Sequence, residues 1–469
     1  MMYKWARPWK LVMGLSLVIS LLASCTGGAQ SELPELPKEG AATLKVMFHN
    51  AEIFMSEYGN TFNVKFPEVE FEVIESTEFE SFVKPGDDRD KKLVEFIKSK
   101  NIDVAILHQS QYEHLSASGT LYKLDTIIQE EKYPVDDFAP GVMDFLREKG
   151  GNAIYGLSGT ISSDALFYNV DLFKQQGVEV PTHKMSVQQV MDLAHRFKSK
   201  SNDDKDRVYG LHTEYMLPAE YVLHLGSMSN LQIVDQKAEK VVMDSEAWKT
   251  LFEKYALLMK NKKINVQDAN NHMSYGQGFA AGKAAMSINY YWMIEEIKYA
   301  MQGGYDGNKT KPFEWNMVSV PVDPANPDES SRVRIAEIFV ISNDSANKRA
   351  AWELVKFSTG QEMARIHGRT SWRMTSRVKY QQPIDGKSME AFTILRPAKN
   401  SYSLDEVLYK NNVSKEFISS LNTKLGAALN AVKDGKKSAE QAFNELIPEL
   451  QKALEEAKRK GAEEKKKKK

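Results

Sequence analysis

The chain has 469 residues, 42% of them hydrophobic and 10% aromatic, which is enough to build two or three cored domains at roughly 100–200 residues each and excludes a disordered chain. Its 62 basic and 63 acidic residues cancel to a formal charge of -1, which argues against a dedicated nucleic-acid binder, because such a protein needs surplus Lys and Arg to displace phosphate counterions. A single cysteine excludes an intramolecular disulfide and a cysteine-built zinc site.

Residues 1–10 carry Lys4, Arg7 and Lys10 with no acid, and 11–23 (LVMGLSLVISLLA) form an apolar run as long as a signal-peptide core. That run falls short of the ~20 residues needed to span a bilayer. The only cysteine follows in Leu22-Ala23-Ser24-Cys25, which resembles the lipobox of bacterial lipoproteins. The resemblance implies a signal peptide over 1–24, cleavage before Cys25 and a diacylglycerol on its thiol. An ordinary secretory signal cut near Ala23 is the alternative. Residues 26–42 (TGGAQSELPELPKEGAA) have no apolar period and read as a flexible tether. No later stretch is apolar enough to cross a membrane. The expected location is therefore extracytoplasmic, tied to the cell membrane by lipid.

Residues 43–49 (TLKVMFH) read as a strand, and FMSEYGNTFNVKF reads as a helix that Pro67 closes. An alternating strand follows at 69–75, a helix at 90–99 and a continuous apolar strand at 102–107, the pattern of a buried parallel strand. This β-α-β-α-β order predicts an α/β domain with a mostly parallel sheet. Helical periodicity returns at 186–199, 245–260, 291–301, 346–366 and 413–458, with start signals such as Ser245 after Asp244 and the run Asn343 to Ser345. The last residues, 461–469, are charged and low in complexity, and read as a solvated, frayed tail. Trp248, Trp315 and Trp352 lie in helix or strand patterns and are expected in the core.

Three later segments resemble one family. Residues 155–177 (YGLSGTISSDALFYNVDLFKQQG), with Pro181 beyond, are similar to a block of the extracellular solute-binding proteins of ABC importers, the sugar and oligosaccharide group. Residues 279–292 (FAAGKAAMSINYYW) and 338–363 (IFVISNDSANKRAAWELVKFSTGQEM) resemble two further blocks, in the family's order. The resemblance covers nearly all of 43–458. It implies a type II periplasmic-binding-protein fold, an α/β architecture of two lobes with a hinge and an interlobe cleft. Three crossings are expected near 157–163, 335–341 and 385–396. Lobe one is then 43–157 plus 341–385, and lobe two 164–335 plus 396–460. Where the family often has a Gly pair before the third block, this chain has Arg334-Ile335-Ala336-Glu337, putting a carboxylate at the hinge.

Sugar rings have apolar C–H faces and many hydroxyls, so a sugar cleft needs aromatic platforms beside carboxylates, amides and Arg. Loops at the carboxyl ends of strands are the expected place. His49 with Asn50 follows the first strand, and His108 with Gln109 the third; Ser163 and Asp164 lie at the first crossing. Glu214 and Tyr215 follow the strand-like VYGLH, Tyr290, Tyr291 and Trp292 follow AAMSIN, Glu337 is at the second crossing, and Trp372 with Arg373 ends the loop after the third block. The bland alternatives are core packing for Tyr291 and Trp292, interlobe hydrogen bonds for Asp164 and Glu337, and ordinary hydrogen-bonded structural roles for the histidines.

No GxSxG, HExxH, GxGxxG or GxxxxGK[ST] is present, and the histidines show no metal-ligand spacing on one helix, so neither enzyme, metal nor cofactor is expected. The resemblance implies a substrate-binding lipoprotein that captures a carbohydrate by lobe closure and delivers it to ABC permease subunits, as a monomer without nucleic acid. A secreted glycoside-active enzyme and a ligand-sensing binding protein remain open alternatives.

Overall fold

The computed structural model describes Leu33, Leu36 and residues 42–84, 87–199, 201, 207–213, 216–265, 278–304, 309–399 and 402–467. Its first sheet grows from three apolar runs. β1 (Ala42–Phe48) lies between β2 (Val69–Glu75) and β3 (Val104–Leu107), parallel to both. β3 is nearly all buried, whereas β2 is the edge and turns Glu70 and Glu72 to solvent. β4 (Gly156–Leu157) and β13 (Ile338–Ile341) complete the order β2-β1-β3-β13-β4, and both β13 pairings are antiparallel. Gly156 is required there, since a Cβ would stand 2.7 Å from the side chains of Ile338 and Val340.

The second sheet has the order β10-β6-β9-β7-β8, from β6 (Asp164–Asn169), β7 (Tyr209–His212), β8 (Ile264–Asn265), β9 (Ala284–Tyr290) and β10 (Trp315–Ser319). Only β9-β7-β8 run parallel. The mostly parallel sheet expected from the first residues thus holds only in part. The reason is topological: a chain that leaves one sheet and returns from the other supplies strands of opposite direction. One face of the second sheet, with Leu166, Met286 and Ile288, packs on a helical layer that includes Trp248, Phe252 and Leu425.

Between the sheets lies a small antiparallel one, β12-β5-β14, made by β5 (Thr160–Ser162), β12 (Arg334–Ala336) and β14 (Met374–Thr375). β11 (Glu329–Ser330) and β15 (Arg396–Pro397) form a further parallel pair. β5 and β12 fall at the first two expected crossings. The third strand lies at 374–375, ahead of the 385–396 stretch, and within that stretch Phe392 already packs 6.1 Å from Phe167 of the second sheet. Small hydroxyl residues fill this junction: Ser158, Thr375 and Ser376 are fully buried, and Ser376 Oγ donates to the Ser158 carbonyl at 2.6 Å.

Several elements differ from the periodicity reading. The helix expected over 346–366 is two, Lys348–Ser358 and Gln361–His367, because Gly360 is extended. The long helical stretch 413–458 is split into Glu416–Lys433 and Ala439–Lys467. Gly435 at φ 72 ends the first, with Lys436 N–H bonding the Ala431 carbonyl at 2.9 Å and Gly435 N–H the Val432 carbonyl at 3.0 Å, a Schellman closure. The final helix runs to Lys467, so it includes most of the charged end. Gly461 seats it, because a Cβ there would lie 1.9 Å from the Asn412 carbonyl oxygen. Within the expected tether, Leu33 is buried in the first core and Leu36 packs beside it. Cys25 and residues 1–24 lie outside the described residues. Among the described residues no helix is long and apolar enough to cross a membrane.

Candidate functional site

Where the first sheet meets the junction, four side chains from three segments converge. Asn50 caps the helix after β1, accepting from Ile53 N–H at 2.9 Å, and residues Met55–Gly59 then wind as a π-turn that presents Glu57 and Tyr58 together. Arg373 reaches them from the segment before β14. Its Nη1 donates to Glu337 Oε2 at 2.5 Å and to the Tyr58 hydroxyl at 3.1 Å, and its Nη2 donates to Glu57. Tyr58 in turn donates to Glu337 Oε2 at 2.6 Å. Glu337 sits between β12 and β13 at φ 51, a left-handed backbone that glycine adopts without strain. The Gly-to-Glu departure noted in the sequence therefore falls on a residue whose conformation favours Gly, and Arg373 and Tyr58 hold the Glu there. Burial alone would raise the Glu337 carboxyl, but Arg373 outweighs it and holds the group below the usual carboxylate range. Burial, and then the Glu337 charge, push Tyr58 well above the usual phenol value. His367, next to this cluster, falls to about 4 through burial and then the charge of Arg373, so it is neutral at pH 7.

A second cluster lies at the start of β6. Arg332 Nε donates to Asp164 Oδ2 at 2.6 Å and its Nη2 to the Tyr290 hydroxyl at 3.3 Å. The Asp164 side chain is 3% exposed and that of Arg332 10%. His224 Nε2 lies 3.9 Å from the same carboxylate oxygen, yet that oxygen already serves Arg332. Burial, then Arg332 and Arg334, push His224 down to about 3. Both histidines are thus uncharged structural neighbours of guanidinium groups.

The aromatic residues bridge these clusters. Tyr291 and Trp292, beyond the end of β9, are half-buried, and the Tyr291 hydroxyl donates to the Trp372 carbonyl at 2.8 Å. Trp372 itself is 69% exposed, unusual for so large an aromatic.

Residues 38–365 match the family described as bacterial extracellular solute-binding protein. The chain belongs to this family. Solved structures of low identity share its fold. A sugar transporter protein from Rhizobium etli, in an open conformation, is 18% identical, covering 88% of this chain and 99% of that one at a TM-score of 0.59. The sugar-binding protein MalE from Xanthomonas citri is 16% identical, covering 88% and 98% at 0.57. A substrate-binding protein from Listeria monocytogenes in complex with cycloalternan is 17% identical, covering 89% and 99% at 0.53.

As a solute-binding protein of the two-lobed, ABC-transporter type, the chain works outside the cytoplasm, and, the half-buried Trp292 apart, its expected site residues among the described ones fall into three groups. Tyr291, Trp372, Arg373 and Glu337 come together at the junction. Asn50, His108 and Gln109 lie at the carboxyl ends of β1 and β3, with Asn50 and His108 at helix starts; His49 and His108 are exposed. Asp164 and Ser163 are buried: the Asp164 carboxylate is engaged by Arg332, and Ser163 Oγ donates to the Asp164 carbonyl at 3.1 Å. Glu214 and Tyr215 lie outside the described residues. Trp248, Trp315 and Trp352 are core residues, as expected. Glu57, Tyr58, Arg332, His224 and His367 were not singled out by sequence. Glu57 and Tyr58 sit inside a helical pattern that carries no sign of the π-turn, while Arg332 stands close enough to the second crossing to have been a candidate. Among the described residues no group of His, Cys, Asp and Glu is arranged to hold a metal ion.

Proposed function

We propose that this protein captures a carbohydrate in the cleft between its two lobes and passes it to the membrane subunits of an ABC importer. The observation that carries this reading is the convergence of Tyr291, Trp372, Arg373 and Glu337 at the junction, tied by the 2.8 Å bond from the Tyr291 hydroxyl to the Trp372 carbonyl. Aromatic faces suit the C–H side of a sugar ring, and a guanidinium fork beside a carboxylate suits paired hydroxyls. Trp292, Asn50, His108 and Gln109 are proposed as further contacts, with Glu214 and Tyr215 completing the set. The sugar-binding protein from Xanthomonas and the cycloalternan complex from Listeria support the solute class.

The lobes of this reading are 43–157 with 341–385, and 164–335 with 396–460. Solute touching both stabilises the closed arrangement, and the permease distinguishes closed from open. Cys25 carries the lipid that keeps the protein, a monomer, at the cell membrane.

Thermal unfolding of residues 26–469 against mono- and oligosaccharides, with peptides and polyols as controls, tests the reading. A ligand at a hundred times its Kd adds about 2.7 kcal/mol and raises the melting temperature. A rise confined to one sugar class, with the sugar recovered intact, is the expected result. A flat sugar panel sinks the assignment, and recovery of a cleaved sugar shows an enzyme instead.

A further inference from the structure

Trp372 lines a depression of about 440 Å³, with the helix Met293–Gln302 and the 383–385 segment on its other sides. That volume falls within the range of about 300–1,000 Å³ typical of small-molecule sites. Its charged groups balance. Lys298 Nζ lies 2.8 Å from Glu295 Oε1 and 3.0 Å from Asp385 Oδ2, and Arg369 is the second cation beside those two acids. A balanced wall holds no excess charge with which to attract an ion, but it offers hydrogen-bond donors and acceptors in fixed places. Glu295 is the best fixed of them: Ser371 Oγ also donates to its Oε1, at 2.5 Å, and the bonds from Lys298 and Ser371 hold its carboxyl below the usual range. Above this polar floor stands the exposed Trp372 ring, on a backbone anchored by Tyr291.

An exposed, positioned aromatic beside a neutral set of carboxylate, hydroxyl and guanidinium groups is the chemistry of a sugar subsite. Trp372 lines the depression and the next residue, Arg373, belongs to the junction cluster, so one stretch of backbone joins the two. We infer that the depression is an annex to the cleft, holding the protruding end of a neutral oligosaccharide, with roughly one or two of its rings lying past Trp372. The inference rests on the carbohydrate reading above and adds to it that the solute is an uncharged chain longer than the cleft.

Calorimetric titration of the exported protein tests it, using sugars from monomer to hexamer of the class that raises the melting temperature, α-linked gluco-oligosaccharides first. Affinity is expected to rise with chain length. Thr370→Trp, which fills the depression, and Arg369→Ala, which removes a donor, should each cost the longest sugars about tenfold or more, about 1.4 kcal/mol. Monosaccharide affinity and unfolding temperature should stay unchanged. Equal losses for short and long sugars, or a length dependence that survives both substitutions, overturns the annex while leaving the cleft assignment in place. No binding by any sugar overturns the carbohydrate reading itself, and the annex with it.

Discussion

The two charged clusters of this protein use the same chemistry to different ends. At β6, Asp164 and Arg332 form an ion pair with side chains only 3% and 10% exposed, closed off by Tyr290 and a neutral His224. At the junction, Arg373, Glu57 and Glu337 keep side-chain exposures of 21%, 27% and 19%. A buried pair is costly to open, because either partner alone is left as an unsolvated charge. A partly exposed one can trade some of its protein partners for solute hydroxyls at a lower cost, since water already reaches it. The deeper burial of Asp164 and Arg332 suits a pair that holds the fold, and the greater exposure of Arg373, Glu57 and Glu337 is what the proposed contact with solute requires.

The largest effect should come from the buried side. Arg332→Leu leaves Asp164 unpaired and should destabilise the fold by about 3–5 kcal/mol, read as a lower urea midpoint with unchanged slope. Making Asp164→Asn as well should restore part of the loss. A change below about 1 kcal/mol would mean that the pair is not the structural one and would collapse the contrast.

Next is acid sensitivity. Above about pH 6.5 the two buried histidines are neutral folded and unfolded, so they contribute nothing to the pH dependence. Below it the unfolded chain takes up protons that the folded one refuses until pH about 4 at His367 and about 3 at His224. Stability should therefore fall steadily as pH drops from about 6.5 to about 4, with His367 contributing up to about 3 kcal/mol. His367→Gln should flatten that slope in urea titrations run across the range, and an unchanged slope would show that His367 protonates in the folded state.

On the binding side, Trp292→Ala should weaken sugar binding by about 1–3 kcal/mol, roughly five- to 150-fold, with the unliganded melting temperature nearly unchanged. A large fall in that temperature would instead assign Trp292 to the core. The smallest effect concerns the hinge backbone. Glu337→Gly and Glu337→Ala both lose the bonds to Arg373 and Tyr58, but only Gly relaxes at φ 51. Glu337→Ala should therefore be the less stable by about 1 kcal/mol in chemical denaturation. Equal stabilities would indicate that the turn rearranges once the carboxylate is gone.

What the chain order by itself determined is local or repetitive. The alternating run 69–75 is a strand over those same residues, and the Ser245 start signal opens a helix at Glu246, because side-chain period and capping chemistry act over a few neighbours. The family blocks put Glu337 at the second crossing, Tyr291 just past a strand and Arg373 just past the third block for the same reason: they are patterns in one dimension. Partners drawn from distant segments were not legible. Arg373 meets Glu57 across 316 positions, and Asp164 meets Arg332 across 168. The π-turn that brings Glu57 and Tyr58 to one place leaves no mark on the helical period, and the close approach of Gly461 to Asn412 depends on a neighbour outside the helix. Which carboxylate is buried and which is offered to solute is set by desolvation and by the guanidinium that reaches it. Both are properties of the assembled tertiary structure, since burial has no meaning until the chain has closed around the group.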